Sequence, residues 1–223
     1  MGFNMSWILV DGIDQDTLFD ALDLAPTDQT PGKHDLGTSR VPLAGATLKS
    51  GWCAVFAKYA LVMDITTGTD PPRLTRLPEK SRSFTCVKLE HAMVSYSSLW
   101  HGGRYTWQIR HESDQGVWHL ETSGDFPPEF GGVRDAALQK QRAREERRGP
   151  GELGVDCVFD VPLDLAATLT GFRYGGAMEP DYFRKLMEPD FFRNLRTLVP
   201  INGNVLTRLS RPPNPSSTVR TSK

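Results

Sequence analysis

Arg110, Glu112, His119 and Glu121 are the residues whose types and spacing come nearest to a reactive set. They lie in two apolar-alternating segments, Tyr105–Glu112 and Val117–Thr122, joined by Ser113-Asp114-Gln115-Gly116. A four-residue hairpin loop there sets Arg110 opposite His119 and Gln108 opposite Glu121. Thr106, Gln108, Arg110, Glu112, His119 and Glu121 then share one sheet face. On that face an imidazole beside a carboxylate suits general acid–base work, and a guanidinium suits an anionic group. The reaction would be hydrolysis or group transfer on a small anionic substrate. The same residues also make an ordinary solvated face, where a cross-strand pair such as Arg110 with Glu121 adds only about 0.2–1 kcal/mol. The solvated face is the preferred reading, and no catalytic residue is assigned firmly.

Other combinations are weaker. His91, His101, His111 and His119 follow one another at intervals of ten, ten and eight residues, not at the alternate positions that ligands on one strand need. In the register above His111 and His119 face opposite ways, so no metal site and no cofactor is expected. Glu90-His91 and His111-Glu112 are adjacent pairs, which a strand points to opposite faces. Asp11, Asp14, Asp16 and Asp20 lack the spacing of a calcium loop and are better explained as helix-capping residues. Ser39, Ser95, Ser97 and Ser98 have no nucleophile-elbow surroundings. No phosphate loop or dinucleotide fingerprint occurs.

The elements that would carry these residues are mostly strands. Ser6–Val10 reads as a strand, followed by a helix capped by Asp14 or Asp16, with Leu18, Phe19 and Leu22 on its apolar stripe. The span 25–50 is broken by Pro26, Pro31-Gly32, Gly37 and Pro42 and reads as a long loop. Trp52–Lys58 and Tyr59–Asp64 read as strands. Phe84–Leu99, Tyr105–Glu112 and Val117–Thr122 form an antiparallel meander, with Gly102-Gly103 as a two-residue turn. Trp107, Ile109, Trp118 and Leu120 would face the core, each large side chain contributing about 1.5–3 kcal/mol. A helix from about Val133 becomes almost wholly charged beyond Leu138, so it should be exposed. Val155–Val161 reads as another strand. Pro162 and Gly171 then bracket a short helix.

The tail contains a tandem repeat: Met178-Glu-Pro-Asp-Tyr-Phe-Arg-Lys-Leu186, then Met187-Glu-Pro-Asp-Phe-Phe-Arg-Asn-Leu195. Each unit has the acid-Pro opening of a helix. Tyr182, Phe183, Arg184, Phe191, Phe192 and Arg193 bring together the aromatic and Arg composition of interface hot spots, making them candidate partner-binding residues. The same rings could instead cover a bare sheet edge.

Formal net charge is −1, yet residues after Asp190 carry six cations and no acid. Such a tail suits an acidic protein partner or the chain's own body. The basic run from Lys140 to Arg148 includes two glutamates, which argues against nucleic acid. Cys53, Cys86 and Cys157 are odd in number, widely spaced and set in apolar segments, as free thiols in a reducing compartment would be. No signal peptide and no membrane span is evident, so the expected location is cytoplasmic.

Leu89-Glu-His-Ala-Met-Val-Ser95, Trp107-x-Ile-x-His111, Gly124-x-x-Pro127 and Phe159-Asp-Val-Pro162 together resemble small uncharacterised bacterial proteins. The resemblance spans about 52–172, and it implies no activity and no site residue. The expectation is an α+β domain over 1–172 built on an antiparallel meander with peripheral helices. A helical appendage over 173–210 and a disordered basic tail over 211–223 would follow. The expected function is a non-catalytic binding protein of immunity or accessory type that engages a protein partner.

Overall fold

A computed structural model describes residues 4–30, 42–59, 61–66, 72–147, 149, 156–173 and 192–201. Nine antiparallel strands form one sheet: β1 (Asn4–Asp11), β2 (Leu24–Pro26), β3 (Leu43–Leu48), β4 (Cys53–Lys58), β5 (Arg82–Leu89), β6 (Val94–His101), β7 (Arg104–Glu112), β8 (Glu121–Gly124) and β9 (Phe192–Pro200). Their spatial order is β2-β9-β3-β4-β1-β5-β6-β7-β8. Among the described residues four α-helices accompany them: α1 (Gln15–Ala21), α2 (Leu61–Thr66), α3 (Glu129–Arg147) and α4 (Val161–Thr170). The protein is therefore of the α+β class.

β1 sits at the centre and shows why the sheet has two cores. Met5, Trp7 and Leu9 point to one face, where they meet Phe56, Phe84, Trp107, α4 and Phe172. Ile8 and Val10 point to the other, against Leu18 and Phe19 of α1, Leu22 at its C-terminal cap, Val62 of α2, and Leu74 and Leu77. A strand covered on both sides reads as a continuous apolar run, as Trp7–Val10 does. Toward β6, β7 and β8 the second face runs beyond α1 and α2 and becomes polar.

Local signals work where local chemistry decides. Asp14 caps α1 by accepting the Thr17 N–H at 2.7 Å. Gly171, at φ 72°, closes α4 by donating its N–H to the Ala167 carbonyl at 2.8 Å. Gly102 and Gly103 form the β6–β7 turn at φ 54° and 70°. A Cβ on Gly103 would lie 2.7 Å from the Thr75 Cα, so the turn is seated against the chain before β5 and admits no larger residue.

Four expectations are corrected. Tyr59–Asp64 is not a strand: Tyr59 turns out of β4 at φ 54°, and the Ser6 hydroxyl accepts the Val62 N–H at 3.0 Å to start α2. The expected strand at 155–161 is a 3-10 turn, Val158–Asp160, leading into α4. Within 25–50, β2 and β3 are strands; β3 contains Gly45, where a Cβ would come within 2.2 Å of the Phe19 ring. Packing against that ring selects a strand too poor in large side chains to announce itself. The helix expected from Val133 begins at Glu129, and it docks through Ala137 and Gln141.

The largest correction concerns the expected helical appendage. Residues 192–200 form β9, inserted between β2 and β3, with Leu24 opposite Pro200 and Leu48 opposite Phe192. The sheet thus extends past residue 172 in sequence. Phe192–Leu195, the described part of the second repeat unit, are strand and not helix, paired on both sides. The rest of the repeat, 178–191, and the tail from 211 fall outside the described residues.

Phe192 is 9% exposed and meets Phe56 edge-on at 5.5 Å, so it is a core residue. Phe192→Ala should therefore cost about 3 kcal/mol in urea unfolding. A loss near zero would mean that β9 is not part of the folded sheet.

Candidate functional site

The polar end of the sheet is organised in rows by strand pairing. One row runs Val87–Tyr96–Arg110–Glu121 across β5, β6, β7 and β8. The next runs Thr85–Ser98–Gln108–Ser123. A register shift after Leu99 then sets Trp100 opposite Tyr105. Period-two alternation puts the two rows on one face, and the register shift, which breaks that alternation in β7, brings Tyr105 to the same face. Val87, Tyr96, Trp100, Tyr105, Gln108, Arg110 and Glu121 floor and wall an open cleft of about 500 Å³, with Met63 of α2 on one side and Leu89 and Val94 at one end.

The aromatic groups of the cleft have their polar atoms tied down. The Tyr96 hydroxyl donates to Gln108 Oε1 at 3.3 Å. Trp100 Nε1–H donates to the Ser98 hydroxyl at 3.2 Å, and Ser98 is bonded in turn to Thr85 at 2.6 Å. Tyr105 donates to the Ser123 carbonyl at 3.1 Å. Burial pushes the Tyr96 phenol up, with a partly offsetting hydrogen bond from Ser98. The cleft is therefore lined by aromatic side chains whose polar atoms are already bonded. Arg110 is held by Glu112, and Gln115 donates to the other Glu112 oxygen at 2.6 Å. The Glu121 carboxylate makes no hydrogen bond or ion pair among the described residues.

On the opposite face, His111 is the centre of a buried clasp. Its Nδ1–H donates to the His119 carbonyl at 2.6 Å, and its Nε2 lies 2.7 Å from Asp156 Oδ2 and 3.0 Å from the Ser113 hydroxyl. Asp156 also accepts the Ser113 hydroxyl on Oδ2, and the Val158 and Phe159 N–H groups on Oδ1, each at 3.0 Å. Serine, histidine and aspartate are all present, yet not in relay order. A catalytic triad sets the serine on one ring nitrogen and the carboxylate on the other. Here both share Nε2, Nδ1 is used by a backbone carbonyl, and His111 is fully buried. The cluster ties β7 to the 3-10 turn ahead of α4.

The structure brings Arg110 and Glu121 together in the cleft, with Glu112 beside Arg110. It does not bring His119 there. The expected register is shifted by two residues: Arg110 opposes Glu121, and 113–120 form the connection. The His119 carbonyl is taken by His111, and its Nδ1 accepts the Glu112 N–H at 3.0 Å, so neither extends the β-ladder. His111 and His119, expected on opposite faces, thus lie with ring centroids 6.1 Å apart. Trp118, expected in the core, is 42% exposed for the same reason. Among the candidate partner-binding residues, Phe192 is core, which corrects its assignment to an interface, and Arg193 is exposed on β9. Tyr182, Phe183, Arg184 and Phe191 lie outside the described residues.

Sequence reasoning missed Tyr96, Trp100 and Tyr105 as site residues. The alternation Val94, Tyr96, Ser98, Trp100 was the available signal. It was hidden while Phe84–Leu99 stood as one undivided segment. The Asp156 clasp had no local signal, because its partners are more than forty residues apart in sequence.

Among the described residues no three His, Cys, Asp or Glu side chains gather as metal ligands, and no helix is long and apolar enough to cross a membrane. Cys53, Cys86 and Cys157 are unpaired, and burial raises all three thiols. No protein family, curated protein or solved structure matches this chain.

Asp156 carries the pH dependence of the clasp. Burial pushes its carboxyl up, but hydrogen bonds from His111, Ser113 and Phe159 outweigh this and hold it below its ordinary value of 3.8. The ionised group therefore stabilises the fold above that value, and the contribution disappears as pH falls through the lower folded-state value. Urea unfolding from pH 6 to pH 2, values of roughly neutral to acid titration, should show a steeper loss for wild type than for Asp156→Asn. Equal slopes would remove Asp156 from this role.

Proposed function

We propose that the protein is a non-catalytic binding protein, an accessory or immunity-type component, whose cleft across β5, β6, β7 and β8 receives a protein partner. The observation that carries this reading is the composition of the cleft. Three aromatic rings with their polar ends already bonded, a four-residue aliphatic rim and a few charges make a recognition surface of the kind that anchors partner side chains. The catalytic alternative needs a base beside Arg110 and Glu121, and its imidazole, His119, is engaged with β7 instead. β8, at the sheet edge with all four residues exposed, adds backbone groups that an extended partner segment could pair with.

The test is affinity capture from an extract of the source organism. The bait is the full chain, compared with Tyr105→Ala/Arg110→Ala in the cleft and Arg193→Ala/Arg196→Ala on β9. Circular dichroism would verify that each variant is folded. A partner retained by wild type and the β9 variant should fall about tenfold with the cleft variant, as truncation of anchor residues does. Equal recovery by the cleft variant would defeat the reading.

A further inference from the structure

Trp100 and Tyr105 meet at a corner: their ring centroids are 5.8 Å apart and their planes are inclined by 80°. Tyr96 lies on the same face two rows further on, beyond Ser98 and Gln108, and Glu121 closes that row at the sheet edge. Two ring faces at right angles, a third ring behind them and a carboxylate at the lip are the parts of a cation receptor. A ring face attracts a cation through its negative quadrupole, and the carboxylate supplies the long-range attraction. Among the described residues, no cation of the chain lies over any of the three rings. Lys58, Arg82 and Arg134 are over other rings, those of Tyr59, Trp52 and Phe130.

The charges on this face of the sheet point the same way. Arg110 is the cation of the cleft, and it is held by Glu112. That leaves Glu121 as an uncompensated carboxylate, so the set of one cation and two acids is net negative. An anionic occupant would have to displace Glu112 from Arg110 and then lie against Glu121. A cationic one needs neither change, and it finds ring faces at the far wall.

We propose that the occupant of this cleft is a basic side chain, lysine or arginine, presented by the partner protein. The proposal rests on the reading of the cleft as a partner-binding site. It assigns Glu121 to charge recognition, Trp100 and Tyr105 to the cation–π corner, and Arg110 with Glu112 to fixing the floor.

The probe is a short capped glycine peptide with one central lysine, and its control replaces that lysine with uncharged, similarly shaped norleucine. Each is titrated into the ¹⁵N-labelled full chain while the Trp100 indole N–H signal is followed, assigned by its loss in Trp100→Phe. The lysine peptide should shift that signal saturably, with the norleucine peptide at least about tenfold weaker. Glu121→Gln should weaken the lysine peptide by a similar factor and leave the norleucine peptide unchanged. Tyr105→Leu, which keeps the apolar bulk, should weaken the lysine peptide alone. Equal affinities for the two peptides would overturn the cation assignment while leaving the cleft as a binding site. No movement of the Trp100 signal with lysine peptide would also overturn it, and partner capture with the Tyr105→Ala/Arg110→Ala variant then judges the broader reading separately.

Discussion

The antiparallel register of β6 against β7 is the constraint on which the functional half of this protein depends. It is set at the Gly102-Gly103 turn, where two positive φ angles and a close approach to the Glu79 and Thr75 backbone leave no room for an alternative. Beyond the shift after Leu99, alternation determines which side chains go to which face. Trp107, Ile109 and His111 go to the α4 face, while Gln108 and Arg110 go to the cleft. A slip of one residue would exchange a buried indole for a guanidinium, so the core and the cleft are enforced by the same hydrogen bonds.

The two faces also communicate in how they are built. The clasp of His111, Ser113 and Asp156 sits on the core side, yet it decides where β8 begins. It does so by drawing off the His119 carbonyl, and Glu112 N–H takes the His119 ring. β8 is left with Glu121–Gly124, and Glu121 becomes the neighbour of Arg110. A group that never touches the cleft thereby selects which acid stands at its lip.

Legibility in the sequence follows the range of the forces involved. The Asp14 cap, the glycine turn, the Gly171 terminus and the inward Trp107 and Ile109 are local matters, decided within a few residues, and they can be read directly. The α+β class follows from the strand-rich centre. β3 could not be read, because its Ala and Gly positions make sense only beneath the Phe19 ring. β9 could not be read either, since Phe192–Pro200 owe their strand form to neighbours about 150 and 170 residues earlier in the chain. The cleft was half legible. Arg110 and Glu121 stand out by charge, whereas Tyr96, Trp100 and Tyr105 look like core aromatics until the strand boundaries between Leu89 and Val94 are known.

The position of β9 has a consequence for how this chain is made. β2 and β3 leave the ribosome early, yet the strand that joins them is drawn from residues 192–200. Until those residues emerge, Leu24–Pro26 has no strand beside it among the described residues, and Leu43–Leu48 offers one open edge. The sheet must therefore be finished by a late, long-range insertion, the slow kind of closure in folding. A nascent or truncated chain ending before this strand would display a sticky margin of the sort that invites aggregation.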